Sequence, residues 1–297
     1  MKLVDLHVHS NASDGTLTPS QVVNLAVKKE LLAIALTDHD TICGVFEALA
    51  AAKGLPLEVI PGIEISCIYR GNAENHTYVP EKEIHILGLY VNPNDRNFCF
   101  EINALKEIRD KRNEEMIRRF QEAGISITLE EVMSGNPDAV VTRAHFARVL
   151  LEKGYVSTMD QAFHKYLEYG GPYCPPKAAI TPERAMKVLT DCRAFPVLAH
   201  PYQYRLGDKK TEELIESLVP LGLQGLEVYH SSNNQYESGK LKKLANKYGL
   251  LPTGGSDFHG SNKPDIELGS GRGGLRVSSL LLDDIKAVRL SRTLPLP

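Results

Sequence analysis

The chain has 297 residues, 42% of them apolar and 24% charged, which is enough to bury a large core and more than an ordinary single domain holds unless that domain is a barrel. A formal charge of -3 gives no global attraction for nucleic acid, so a polyanionic substrate has to be met by a local basic cluster or by metal. The five scattered cysteines fit neither a disulfide framework nor a thiolate zinc site, and no apolar run has the length of a membrane span or the context of a signal peptide, so a cytoplasmic protein is expected.

Residues 1–10 form an apolar strand that runs into two histidines. Strand side chains alternate, so His7 and His9 share a face while Leu6 and Val8 turn to packing. Two imidazoles on one face make half a metal site; taken alone, a packed polar residue beside a surface histidine explains them equally well. A turn-rich stretch carrying Asp14 follows, then Thr18-Pro19 opens a helix with Thr as N-cap and Val22, Val23, Ala26 and Val27 as its buried face. Residues 31–36 form a strand apolar on both sides, ending in Thr37-Asp38-His39-Asp40. A helix over 45–52 stops at Gly54, a third strand over 57–66 carries Glu64 near its end, and a fourth over 83–91 carries His85.

This beat of strand, polar strand end and helix belongs to an α/β barrel or a doubly wound sheet. It stops between about 95 and 191, where helices are predicted over 100–123, 129–133, 143–153 and 157–169, the last with Ser157 as N-cap. The expected organisation is a barrel of residues 1–98 and 192–297 with an inserted helical cap of 99–191. Strands return over 195–201, 225–229 and 250–259, separated by helices over 211–221 and 235–248. The glycine-rich stretch 269–274 reads as a mobile loop, since it does not match the G-x-x-x-x-G-K-[ST] phosphate loop.

The carboxyl ends of these strands collect His7, His9, Asp38, His39, Asp40, Glu64, His85, His200, Asp257 and His259, and in an α/β barrel such ends converge on one mouth. Imidazoles and carboxylates brought together suit a divalent cation, and without one the carboxylates would be costly to hold side by side. With Asp14 added, the candidate ligands His7, His9, Asp14, His39, Glu64, His85, His200, Asp257 and His259 are too many for one tetrahedral zinc and suit two or three metals, with Glu64 and Asp257 as bridges. A set of nitrogen and oxygen donors without thiolate suits manganese, zinc or iron.

Asp5-Leu6-His7-Val8-His9-Ser10 with Ser13-Asp14-Gly15, Thr37-Asp38-His39-Asp40, Pro61-Gly62-Ile63-Glu64-Ile65-Ser66, His85-Ile86-Leu87-Gly88, Ala199-His200-Pro201 and Gly255-Ser256-Asp257-Phe258-His259 stand in an order that resembles the polymerase and histidinol phosphatase (PHP) superfamily of metal-dependent phosphoesterases. The resemblance implies a distorted seven-stranded β/α barrel. It implies one metal at His7, His9, Glu64 and Asp257, a second at Glu64, His85 and His200, and a third at Asp14, His39 and His259. The insertion, with residues 142–148 and 171–177, is similar to the branch of nucleoside 3',5'-bisphosphate phosphatases and related 5'-3' exoribonucleases. The reaction that this resemblance implies is phosphomonoester hydrolysis by metal-activated hydroxide, most simply at the 3'-phosphate of a small bisphosphorylated nucleotide, with trimming of short oligonucleotides as the alternative. Residues Tyr229-His230-Ser231-Ser232-Asn233 depart from the forms of that branch and weaken the substrate assignment more than the chemistry.

A cap over such a site needs cations for a second phosphate, and Arg143, Arg148 and Lys177 are the candidates, with His230 as a further phosphate contact. Arg143 and Arg148 lie about 140° apart at helical pitch, so both cannot point into one pocket. Asp38 is expected to orient a ligand, and Asp40 to accept a hydrogen bond within the ligand loop. The aromatic residues of the insertion read as core, although one could stack a base. A bimetal amidohydrolase would be expected to show a strand-end lysine, which the chain lacks, and a non-catalytic module would have lost ligands, whereas all nine are present. No protein partner is implied.

Overall fold

The computed structural model describes residues 2–71, 81–133, 139–168, 170–175 and 180–293. Seven strands form one sheet in sequence order: β1 (Val4–Val8), β2 (Ala33–Leu36), β3 (Glu58–Tyr69), β4 (Lys82–Leu89), β5 (Phe195–Leu198), β6 (Gly225–His230) and β7 (Leu251–Gly255). The sheet curls until its ends meet, with Asp257 N–H donating to His7 O at 2.9 Å and His9 N–H to Phe258 O at 3.0 Å. Closure leaves no room for a side chain on β7 opposite β1: a Cβ on Gly255 would lie 2.3 Å from His7 Cβ. The product is the expected distorted seven-stranded α/β barrel.

The distortion has a specific origin. β3 and β4 form an antiparallel hairpin pair and β4 is also antiparallel to β5, whereas all other neighbours are parallel. Antiparallel pairing on both sides reverses the direction of β4 within the barrel. It also corrects the sequence reading of His85, which lies not at a strand's carboxyl end but in the amino-terminal half of β4, opposite Ser66. Because β4 runs backwards, that half is the one that reaches the mouth.

Val4, Leu6, Ala33, Ala35, Ile60, Leu87, Phe195 and Val197 form one cluster although several of their strands are not neighbours, which identifies the barrel interior; helix α10 (Ser279–Thr293) adds Leu282 and Ile285 to it. Outside, α1 (Pro19–Lys28) and α2 (Cys43–Ala51) cover the first strands, α1 starting at Thr18 with the expected capping box and proline. Helices α7 (Pro182–Asp191), α8 (Asp208–Leu218) and α9 (Gln235–Lys247) cover the later ones.

Between β4 and α7 lie the long α3 (Arg96–Glu122), α4 (Leu129–Met133), α5 (Arg143–Glu152) and α6 (Met159–Lys165). Phe98, Ile102 and Leu105 of α3 pack in the barrel cluster, whereas residues from Met116 to Cys174 form a separate core around Phe120 and Phe146. The second core therefore begins inside α3, and α7 packs with the barrel. Helix α6 is shorter than expected and is capped by Thr158 instead of Ser157, its side chain accepting from Gln161 N–H. The glycine-rich stretch is pinned, not loose: Gly269 N–H donates to buried Asp5 at 2.8 Å, and Gly271 and Glu267 bridge backbone to backbone. No helix among the described residues is long and apolar enough to cross a membrane.

Candidate metal centre

The nine candidate ligands converge at the mouth. The register of β1 shifts between Asp5 and Val8, and the His7 and His9 rings come to lie 5.1 Å apart. Glu64 is the hub: its Oε1 lies 2.9 Å from His85 Nδ1 and 3.0 Å from His200 Nε2, and its Oε2 lies 3.1 Å from His39 Nδ1, 3.2 Å from His9 Nε2 and 3.3 Å from His7 Nε2. Asp257 Oδ1 faces His259 Nδ1 at 3.4 Å and His9 Nε2 at 3.5 Å. Asp14 Oδ1 sits 3.2 Å from His259 Nε2, and its Oδ2 faces His39 Nε2 at 3.8 Å. His200 and Asp257 hold left-handed backbone, with φ of 27° and 59°, which residues bearing a Cβ rarely adopt and which here aims both side chains at the cluster.

A buried cluster of this kind should leave no polar atom without a partner, yet His7 Nε2, both ring nitrogens of His9, His39 Nδ1, His200 Nδ1 and Glu64 Oε2 are buried without a hydrogen bond. Each such atom costs about 1–3 kcal/mol. Divalent cations would satisfy these atoms, and the donor set of imidazoles and carboxylates is one that suits them. The residues present fit a metal centre.

Protonation differs across the set: burial would lower His7, but Glu227 and Glu64 outweigh it and lift it well above its usual value. Burial pulls His9 well below and His200 down to about 4, keeping both neutral with lone pairs available. Burial would raise Glu64, but His39, His7 and His85 outweigh it and hold the carboxyl well below its usual range. Asp257 is likewise held low against burial, chiefly by Lys263. Burial would lower His85, yet Glu64 lifts it to about 9.

Supporting residues fix these positions. Glu227, fully buried in β6, takes His7 Nδ1 at 3.0 Å on one oxygen and the His200 N–H at 2.7 Å on the other. It orients a histidine from behind, as metal sites require. Glu227 is not among the ligand or supporting residues expected from the sequence, although it is a lone carboxylate in the apolar strand Gly225-Leu226-Glu227-Val228. Asp38 accepts from Ser10 N–H, Ser10 Oγ and Ser13 Oγ at 2.6–2.8 Å, so it shapes the loop that bears Asp14. Asp40 accepts from Ser66 N–H at 2.8 Å and is ion-paired with buried Arg109, which sequence reasoning also missed. Lys263, another omission, places Nζ 2.6 Å from Asp257 Oδ2. That contact engages the second oxygen of Asp257.

The inserted helices roof the mouth. Thr142, the N-cap of α5, donates to Asp14 Oδ2 at 2.9 Å, and Val140 N–H donates to Ala12 O at 2.9 Å. Between roof and floor is a cavity of about 430 Å³ lined by Asp14, His39, His85 and His259 below and by Arg109, Arg143, Phe163 and Lys263 around and above. Arg143 lies in this wall, its Nη2 3.0 Å from Glu83 and its guanidinium over the Phe163 ring. Arg148 is not brought there; it binds Glu152 at 2.8 Å and the Glu131 carbonyl at 2.9 Å. His230 is buried behind Asp257, its Nε2 3.5 Å from Oδ2, a position in the wall of the metal cluster and not on the cavity surface. Lys177 lies outside the described residues.

A closed α/β barrel with buried imidazoles and carboxylates at its mouth, several of their atoms without a hydrogen-bond partner, is the architecture of a metal-dependent phosphoesterase. The chain belongs to the PHP domain family, whose model matches residues 5–173. It is 36% identical over 270 residues to the 5'-3' exoribonuclease Rnm of Escherichia coli, covering 90% of this chain and 88% of the relative. It is 32% identical over 271 residues to the 3',5'-nucleoside bisphosphate phosphatase of Chromobacterium violaceum, covering 91% of each. A crystal structure from Bifidobacterium adolescentis, assigned to the metal-dependent phosphoesterases, superposes with a TM-score of 0.81 at 26% identity, covering 99% of this chain and 98% of that one.

Proposed function

We propose that the protein removes the 3'-phosphate of nucleoside 3',5'-bisphosphates in the cytoplasm, with His7, His9, Asp14, His39, Glu64, His85, His200, Asp257 and His259 holding two or three divalent cations. Manganese is the first candidate, with zinc or iron next. The observation that carries this reading is the 430 Å³ cavity, whose floor is the ligand cluster and whose wall offers Arg109, Arg143 and the Phe163 ring. One phosphate goes to the floor, while a second phosphate and a base go to the wall. The name of the C. violaceum relative supports the same substrate class.

When bound, the cations supply Lewis-acid polarisation of the phosphoryl group and lower the pKa of water. The chain supplies the rest. Glu227 accepts the proton of His7 Nδ1, which leaves the lone pair of Nε2 facing the cluster. Lys263 retains Asp257 Oδ2 so that Oδ1 points to His9 and His259. Arg143, steadied by Glu83 and Phe163, meets the phosphate that is not cleaved. The roof, which we place between the second half of α3 and residue 175, limits access of bulk water. Hydrolysis breaks the bond between phosphorus and the 3'-oxygen, with the oxygen of water passing to phosphate and a proton to the 3'-oxygen.

The likeness to the E. coli exoribonuclease favours a second reading, removal of nucleotides from the 5' end of short oligonucleotides. A panel of 3'-, 5'- and 3',5'-phosphorylated nucleosides and short RNAs, offered to enzyme stripped of metal and reconstituted with manganese, separates the two. Fast phosphate release from the bisphosphates supports the phosphatase reading, preferential release of mononucleotides from RNA replaces it with the second, and no product from any substrate refutes both.

A further inference from the structure

Beside this cavity, behind Arg109 in the sequence of α3, a buried arginine keeps two donors without a hydrogen-bond partner. Arg112 lies three residues after Arg109 on α3, hence on the same helical face, and is only 6% exposed. Its Nη2 donates to Asn113 Oδ1 at 3.1 Å, but Nε and Nη1 are buried without a hydrogen-bond partner. The neighbouring charges do not resolve this. Arg109 is paired with Asp40, and Glu83 is shared between Arg143 at 3.0 Å and His85 Nε2 at 3.6 Å. Burial raises the Cys174 thiol beside Arg112, so it stays neutral and adds no counter-charge. Burial and then the nearby Arg109 pull Arg112 down to about 10, which still leaves it charged at neutral pH.

A buried, charged guanidinium with two idle donors is strongly unfavourable unless an anion completes it. Arg109 and Arg143, the charges it lies among, line the cavity next to the ligand cluster. We propose that Arg112, together with Arg109 and Arg143, forms an anion site for a phosphate monoester dianion, set apart from the metal centre. Resting on the bisphosphatase reading, this assigns the retained phosphate of the substrate to α3 as well as α5. The planar fork of Arg112 is suited to two phosphate oxygens at once, which a lysine at that position could not match.

The test uses the metal-loaded enzyme and its Arg112→Met and Arg112→Lys variants. First, kcat/KM for adenosine 3',5'-bisphosphate is divided by that for 4-nitrophenyl phosphate. This ratio should fall about thirtyfold or more in Arg112→Met and recover in part in Arg112→Lys. An unchanged ratio overturns the proposal. Second, melting is followed without ligand, with adenosine 5'-monophosphate and with inorganic phosphate. Since Met removes an uncompensated buried charge, the unliganded variant should melt no lower than wild type, and the rise that adenosine 5'-monophosphate gives to wild type should be lost. A similar rise with inorganic phosphate, also lost in the variant, identifies free phosphate as an occupant of the same site. A rise equal in variant and wild type overturns the proposal. Should wild type hydrolyse neither substrate, the bisphosphatase reading fails, while the melting arm still decides whether the anion site exists.

Discussion

Replacing Glu227 by Gln changes a single atom, yet the geometry gives the amide nowhere comfortable to turn. One carboxylate oxygen accepts from His7 Nδ1 at 3.0 Å and the other from the His200 N–H at 2.7 Å, both fully buried. If the new NH2 group faces His7, it donates to Nδ1 and drives the ring proton to Nε2, the atom that faces Glu64 at 3.3 Å and is needed as a ligand. If it faces His200, donor meets donor. Either orientation takes away the charged acceptor and leaves one contact reversed or broken, a loss of about 1.5–3 kcal/mol. Because the pair orients a metal-facing histidine, that loss should appear as about ten- to hundredfold weaker metal affinity. The assay is competition between the metal-free protein and a chromogenic chelator, first with manganese and then with zinc, alongside circular dichroism to show that the fold persists. An intact fold with unchanged affinity for both metals would refute the argument.

Further expectations concern closure, reactivity and metal. Gly255→Ala places a Cβ 2.3 Å from His7 Cβ and should cost about 3 kcal/mol, lowering the melting temperature by about 6–12 °C; melting within 2 °C of wild type would show that β1 and β7 can part without penalty. Thiol labelling of the native protein at pH 8 should modify exposed Cys43 first, while buried Cys67 and Cys174, and Cys192 with its thiol pushed up to about 11 by burial, react only after unfolding; peptide mapping by mass spectrometry reads the order. Adding manganese at about a hundred times its dissociation constant to stripped protein should raise the melting temperature by about 5–10 °C, and no rise would mean that the unpartnered atoms at the mouth do not bind it.

The parts of this molecule that the sequence discloses are those set by local alternation and by residue chemistry. His7 and His9 stand out because strand periodicity puts them on one face, His200 and Asp257 because they follow apolar strands, and Glu64 because it is a carboxylate within one, although its strand runs on to Tyr69; the barrel then brings them within reach of one another. Three features are set by long-range packing instead. The reversed direction of β4 depends on pairing with both β3 and β5, so His85 reaches the mouth from the opposite end of its strand. Arg109 and Arg112 look like ordinary charges on a long polar helix, and only the fold of the insertion against the barrel buries them. Glu227 and Lys263 acquire their roles from partners 220 and 6 residues away, His7 and Asp257, and no motif spacing marks either. The differing fates of Arg143 and Arg148 follow the helical phase visible in the sequence, but which of the two faces the cavity is decided by where α5 docks.

Metal ions in the cluster around Glu64 would be visible by anomalous diffraction from crystals grown with manganese. Two or three peaks are expected, each in contact with ring nitrogens or carboxylate oxygens of His7, His9, Asp14, His39, Glu64, His85, His200, Asp257 and His259, with Glu64 touching more than one. A fully loaded protein whose anomalous peaks lie elsewhere, leaving Glu64 Oε2 without a metal neighbour, would contradict this.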